Sequence, residues 1–384
     1  MHTYLILQLV GLATVLTVIG YISYVFVNTR RRNGRKPAHA TSRKNHTVTS
    51  VVGLLGMTLV VAACSTGSSA TTSTAKPAPN ASTSAPVTQN APGPITDAKP
   101  YNPVTRNVAP GPKHFVLTTA EQRVRISGTV YNLWTFNGTS PGPALRVVQG
   151  DRVTITIKNA ASSRTTHSID FHASRLSMGG GFMQVAPGSQ GTFTFVAKDV
   201  GVLMYHCATA PVLMHIGSGM YGMIIVQPKG GFKPAMPEFA MVQSELYTNY
   251  DNMLSGKANA VAFNGIPNQY SANPIKLPKN SNVRLFFQNA GPDELSSFHV
   301  VGTIFDKVYL DGNPKSMTYG RQAIAVPASG SGIFEMNLTD EGKYPIVSHQ
   351  FNDVALGAVA MMVTGDGVPG AGKPAPDESG MPAH

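Results

Sequence analysis

Tyr205-His206-Cys207-Ala208-Thr209-Ala210-Pro211-Val212-Leu213-Met214-His215-Ile216-Gly217-Ser218-Gly219-Met220 decides how the rest of the chain is read. It holds a cysteine, a histidine eight positions later and a methionine five beyond that. A thiolate, an imidazole and a weak thioether are ligands of a blue-copper electron-transfer site, which needs one further histidine. His206 stands immediately before the cysteine. On a strand successive side chains point to opposite faces, so if Cys207 faces the inside of its domain, His206 faces out. The spacing therefore predicts two metal centres, one buried and one at a surface, joined through a single peptide bond.

Short alternating runs bounded by Gly, Pro and Asn, such as Arg152-Val153-Thr154-Ile155-Thr156-Ile157-Lys158, dominate from residue 113 onward. No long helical period competes with them, and the pattern is that of a β-sandwich. The same pieces then recur. Phe136-Asn137-Gly138 returns as Phe263-Asn264-Gly265, Val153 to Ala160 as Val283 to Ala290, and Val185-Ala186-Pro187 as Ala325-Val326-Pro327. Offsets of 127 to 140 residues mark a duplicated domain of sandwich size. The chain is thus expected to be all-β with two tandem Greek-key sandwiches, 101–230 and 231–364, parted in the proline-rich stretch Pro228 to Pro237.

The ends have a different composition. The chain of 384 residues has a formal charge of +11, but Arg30, Arg31, Arg32, Arg35, Lys36, Arg43 and Lys44 fall before residue 50, where no acid occurs. From residue 101 onward there are 21 Lys+Arg against 18 Asp+Glu, so the folded part is not a nucleic-acid binder. Tyr4 to Val27 is an apolar run of 24 residues, about 36 Å as a helix and enough to cross a bilayer. Val51 to Ala63 has the length of a signal h-region and ends at Cys64, where V-A-A-C-S resembles a bacterial lipoprotein signal with a lipidated cysteine. The alternative is a two-helix hairpin anchor with an unmodified cysteine. Residues 1–64 are read as this membrane region and 65–100 as a disordered Ser/Thr/Ala/Pro tether. Residues 365–384 form a disordered tail, and the folded part lies outside the cytoplasmic membrane. With two cysteines in all, disulfide scaffolding is not in play.

Strand parity sorts the histidines of Thr166-His167-Ser168-Ile169-Asp170-Phe171-His172. His167 and His172, five apart, face opposite ways, while Asp170 and His172, two apart, share a face. His167 therefore joins Cys207, His215 and Met220 on the buried side, and His172 with Asp170 joins His206 outside. Two imidazoles are one short of a three-histidine copper site with an open position, and no further histidine of the first copy fits. The second copy has no cysteine, and its His349, following Tyr344 to Ser348 where the first copy places His206, is the expected third ligand. If that second domain belongs to a neighbouring subunit, the site exists only in an oligomer. Met204, Met214 and Met223 are expected to pack in the core or at the surface, with Met214 beside His215 also a candidate for an apolar docking patch, and His114 is expected to be structural.

Together, H-S-I-D-F-H, G-G-G-F-M-Q-V-A-P-G, Y-H-C-A-T-A-P-V-L-M-H-I-G-S-G-M-Y-G and S-S-F-H-V-V-G-T-I-F-D-K-V-Y resemble the copper-containing nitrite reductases, particularly the lipid-anchored, short-loop branch known from pathogenic Neisseria. The resemblance covers roughly residues 101 to 364. It implies two cupredoxin domains per subunit and a homotrimer with the catalytic copper at subunit interfaces. By position, His167, Cys207, His215 and Met220 match the type 1 copper ligands, and His172, His206 and His349 the type 2 ligands. Asp170 and His299 match the pair beside bound nitrite. One departure is that the segment from His349 to Leu356-Gly357 is several residues shorter than in that branch.

The implied reaction is one-electron reduction of nitrite to nitric oxide, with the electron passing from type 1 to type 2 copper through Cys207-His206 and protons supplied by Asp170 and His299. The electron donor would be a small cupredoxin or cytochrome c. Two rivals stand beside it. A multicopper oxidase needs H-x-H pairs, and this chain has none. A blue-copper electron-transfer protein would keep only the buried centre.

Overall fold

Asn137 and Asn264, the central residues of the two Phe-Asn-Gly repeats, both take the left-handed conformation, at φ 55° and 56°. Asparagine tolerates this region because its short polar side chain bonds locally. The two copies do so identically. Asn137 Oδ1 accepts from Thr118 N and its Nδ2 donates to Val116 O, while Asn264 Oδ1 accepts from Val242 N and its Nδ2 donates to Ala240 O. A second pair repeats the pattern, since Asn159 Nδ2 donates to Val185 O and Asn289 Nδ2 to Val326 O. The sequence repeats are thus repeats of hydrogen-bonded turns.

The computed structural model describes residues 91–176 and 183–365. Among these the strands form four sheets, two to each sandwich, as the alternating runs predict. In the first sandwich, Ile95–Asp97, Lys113–Ile126, Arg152–Asn159 and Gln190–Val196 lie side by side, with Thr129–Phe136 paired to Lys113–Ile126. Facing them is the sheet Leu145–Val148, Tyr221–Gln227, Gly201–His206 and Asp170–Phe171. The second sandwich is built around Glu238–Leu246, Ser281–Gly291 and Ser331–Leu338 on one side. Gly342–Ser348, Ser296–Val300 and Val359–Thr364 lie on the other. No strand lies between Gln227 and Glu238, where the prolines were expected to part the copies.

Period-two alternation explains how the sandwiches join. Along Tyr221–Gln227, Ile224 and Val226 enter the core of the first sandwich, while Met223 and Ile225 enter a separate apolar layer with Ala240, Val242 and Phe286 of the second. Strands covered on both faces lose the apolar/polar alternation and read as continuous hydrophobic runs. A buried ion network crosses the same boundary. Arg284, fully buried, bonds Glu238 at 2.7 Å and Glu335 at 2.6 Å, and Arg146 of the first sandwich bonds the other oxygen of Glu238 at 2.6 Å.

Two boundaries shift from expectation. The tether was expected to run to residue 100, yet Ile95–Asp97 pairs in parallel with Arg123 to Arg125 and Ala91 is buried. Val104–Thr105 pairs with Glu238 and Phe239, so residues placed in the first domain add a strand to the second. Tyr101 lies between them, its hydroxyl accepting from Ala144 N and its carbonyl from the Tyr270 hydroxyl. The apolar segments, Cys64 and the tail beyond 365 lie outside the described residues. Among the described residues no helix is long and apolar enough to cross a membrane.

Candidate metal centres

The strand Gly201–His206 pairs antiparallel with Tyr221–Gln227, His206 opposite Tyr221, so Cys207 emerges at the end of the ladder. Two backbone bonds tie the next ligands to it: Cys207 N donates to Met220 O at 3.0 Å, and Met220 N to His215 O at 3.1 Å. His215 rides on a one-and-a-half-turn helix, Val212–Gly217, that follows Pro211. The chain turns back at Gly219, whose φ of +114° and 2.6 Å approach of a notional Cβ to Ser140 Oγ leave room for glycine alone. His167 is held by a two-bond bridge to Val185.

Cys207, His167, His215 and Met220 are all fully buried. The Cys207 Sγ lies 3.1 Å from His215 Nδ1, and the two Nδ1 atoms of His167 and His215 are 3.3 Å apart. Ser168 N donates to the sulfur at 3.4 Å. Burial alone would raise the thiol, but hydrogen bonds from His167 and His215 and their positive charge hold it well below its ordinary range. The same partnership, with Glu121, raises His167 against its burial. Three lone-pair atoms thus converge where only one proton can sit between the imidazoles, while the outward Nε2 atoms of both rings lack a hydrogen-bond partner among the described residues. A soft cation accepting the two nitrogens and the thiolate satisfies this arrangement, and a His2Cys set with a weak Met suits copper.

The outer group is built on the other face of the same strand end. Asp170–Phe171 pairs with it, Asp170 opposite His206. Alternation puts Phe171 inside, and His172 reaches solvent, its N–H donating to Met204 O. His206 Nδ1 lies 2.9 Å from the Cys207 carbonyl, which accepts its N–H and so turns Nε2 toward the outer group. That Nε2 is 3.2 Å from His172 Nε2 and 3.8 Å from Asp170 Oδ2. Desolvation and the neighbouring charge of His206 lower His172, partly offset by Asp170 and Asp311, which favours the neutral, ligating form. This donor set also fits a cation.

His299 and His349 lie together in the second sandwich, ring centroids 5.0 Å apart. His349 N donates to Ser297 O, and the His299 ring nitrogen Nδ1 faces the Gln322 carbonyl. Among the described residues neither belongs to a group of three or more potential ligands within 4.8 Å, so this chain alone does not bring His349 to His172 and His206. The short segment after His349 is the helix Phe351–Ala355, with the Phe351 ring edge-on to His349 at 5.2 Å.

Met214 packs in the core, 4 % exposed, because its helix turns it inward, so of its two expected roles it takes packing and not the docking patch, and Val212 is the exposed apolar residue there. Sequence reading missed three neighbours of the buried group. Trp134 packs edge-on against both histidines, 4.7 Å from His215 and 5.5 Å from His167. Ser168 donates to the sulfur, and Glu121 faces His167 Nε2 at 3.5 Å. The one available signal was an acid, Glu121, at an inward position of an alternating strand.

Residues 118–231 match the family described as multicopper oxidase. Over 261 residues the chain is 39 % identical to a copper-containing nitrite reductase of Neisseria meningitidis serogroup A, covering 63 % of this chain and 67 % of that relative. Among solved structures, a copper nitrite reductase from Nitrosomonas europaea superposes with a TM-score of 0.64 at 35 % identity, over 69 % of this chain and 98 % of that one. A copper-containing nitrite reductase from Thermus scotoductus SA-01 gives 0.64 at 32 % identity, over 68 % and 66 %.

Proposed function

The chain belongs to the copper-containing nitrite reductases, oxidoreductases that reduce nitrite with copper, and from that premise we propose how its own residues divide the work. His167, Cys207, His215 and Met220 would hold a type 1 copper, the entry point for the electron. His172 and His206 of one subunit, with His349 of a neighbouring subunit, would hold a type 2 copper facing the anionic substrate. Copper, when bound, supplies a one-electron couple at the inner group and a Lewis acid for the anionic substrate at the outer one.

The observation that carries this reading is the opposite burial of two ligand groups anchored on adjacent residues, Cys207 inside and His206 outside. The peptide between them is a covalent route for the electron. Nitrite, one electron and two protons give nitric oxide and water, so two protons must arrive. Asp170, 3.8 Å from His206, is placed to hand one to a nitrite oxygen beside the outer group. His299, beside His349, comes with the neighbouring subunit and serves the opposite side.

The shared site also accounts for assembly. His172 and His206 are one imidazole short, and among the described residues His349 belongs to no ligand group of its own chain. A closed ring of three, each subunit giving its His172–His206 pair to one neighbour and His349 to the other, completes every site. On the same reading, residues 1–64 tether the trimer outside the cytoplasmic membrane with Cys64 lipidated, and a small cupredoxin or cytochrome c donates the electron.

The test is nitric oxide production by the copper-loaded full chain given reductant and nitrite and followed with a nitric oxide electrode. The expected result is production that disappears in His172→Ala while the thiolate absorption of the inner copper persists. Nitric oxide at an undiminished rate from that variant contradicts the assignment.

A further inference from the structure

We propose that Glu121 is a positioning residue for the buried copper centre, its carboxylate backing the outer nitrogen of His167 and so setting both the orientation of that ring and the electron affinity of the centre. The proposal rests on the reading of His167, Cys207, His215 and Met220 as a copper site.

Glu121 lies on the strand Lys113–Ile126, directly opposite Trp134 in the ladder. Leu117, Thr119 and Glu121 form its inward row, so the carboxylate is carried into the interior, where its side chain is 1 % exposed. Burying a carboxylate is costly unless hydrogen bonds replace its hydration. Here Arg164 N and Thr165 N each donate to Oε1 at 3.0 Å. These are the residues that lead into His167. Asn159 holds the same loop from the other side, its Nδ2 donating to Thr165 O while its Oδ1 accepts from Thr119 Oγ1.

The same Glu121 oxygen is 3.5 Å from His167 Nε2, whose ring presents Nδ1 to Cys207 and His215. An imidazole that ligates through Nδ1 carries its proton on Nε2, and that N–H is buried without another hydrogen-bond partner among the described residues. A carboxylate behind such a ring fixes the tautomer and makes the other nitrogen a stronger donor. Negative charge there also favours the oxidised, more positive copper. Removing the charge but keeping the oxygen that holds the loop separates this effect from mere anchoring.

The experiment is a spectroscopic redox titration of the copper-loaded full chain, comparing wild type with Glu121→Gln and Thr119→Val. Glu121→Gln is expected to retain the thiolate absorption and to shift the oxidised-to-reduced ratio at fixed potential about tenfold toward reduced copper, about 59 mV for one electron. Thr119→Val, which loosens the same loop without touching the carboxylate, is expected to stay within a factor of about two of wild type. A Glu121→Gln potential within that same factor, or an equal shift in both variants, overturns the proposal. If Glu121→Gln fails to hold copper, Glu121→Asp, which withdraws the charge by one methylene, must shift the ratio in the same direction, and no shift overturns it. A wild-type thiolate absorption that is missing, or that survives in Cys207→Ser, refutes the copper-site reading itself.

Discussion

His206 and Cys207 share a peptide bond yet serve different groups: the Cys207 sulfur lies 3.1 Å from His215 Nδ1 in the interior, and His206 Nε2 lies 3.2 Å from His172 Nε2 toward solvent. The Cys207 carbonyl makes the link tighter still, because it accepts from His206 Nδ1 and so fixes which nitrogen of His206 faces out. A change in the inner ligand's backbone is therefore felt by the outer ring.

His349→Ala is expected to leave the intense thiolate absorption intact and to remove one of the two coppers, about half the metal. Metal analysis and visible absorption on the same sample check this. Loss of the thiolate band would contradict the division of ligands between the two groups.

Asp170→Asn keeps the shape of the outer group and removes the proposed proton donor. Both coppers should remain while turnover falls about 10²- to 10⁴-fold, the range for losing a positioned acid or base. Steady-state nitric oxide production, with copper content measured alongside, decides it. Unchanged turnover sinks the relay role.

Arg284→Met leaves Glu238 and Glu335 buried and stripped of the guanidinium that bonds both. Breaking a buried ion network from one side is expected to cost about 3–5 kcal/mol. Guanidinium unfolding of the copper-free protein measures it. A loss below about 1 kcal/mol, typical of exposed pairs, would mean that solvent reaches the network.

Burial, with the nearby Asp293 carboxylate, raises the Glu245 carboxyl, although Tyr247 and the backbone N–H groups of Asp293 and Glu294 oppose the rise. The folded protein then holds this proton more tightly than the unfolded chain. Its stabilising share is full below the ordinary value of 4.5 and is lost as pH rises through the raised value. Glu245→Gln should flatten the fall in stability from pH 4.5 upward. Unfolding curves across that window check it, and an unchanged slope would assign the fall to other groups.

What the sequence made legible was local and periodic. The Phe-Asn-Gly repeats are visible because the left-handed turn restricts residue choice, and the opposite burial of His167 and His172 follows from alternation even though only Asp170 and Phe171 are paired as strand between them. Placement across long separations was not legible. Glu121 meets His167, and Arg146 meets Glu238, only after sheets that are far apart in sequence have packed. Whether Met214 packs inside or at the surface was not legible either, because the six-residue helix that carries it inward is too short to show a period. Val104–Thr105 crosses to the second sandwich on the strength of two backbone pairings, which leave no mark on side-chain pattern.

The most direct test of a site built from two subunits is to unfold and reassemble His172→Ala and His349→Ala together with copper and assay nitric oxide formation. Each variant alone is expected to be inactive. The mixture should recover about a quarter of wild-type activity, the share of random interfaces that bring an intact His172–His206 pair against an intact His349. A mixture as inactive as its two components would contradict the shared site.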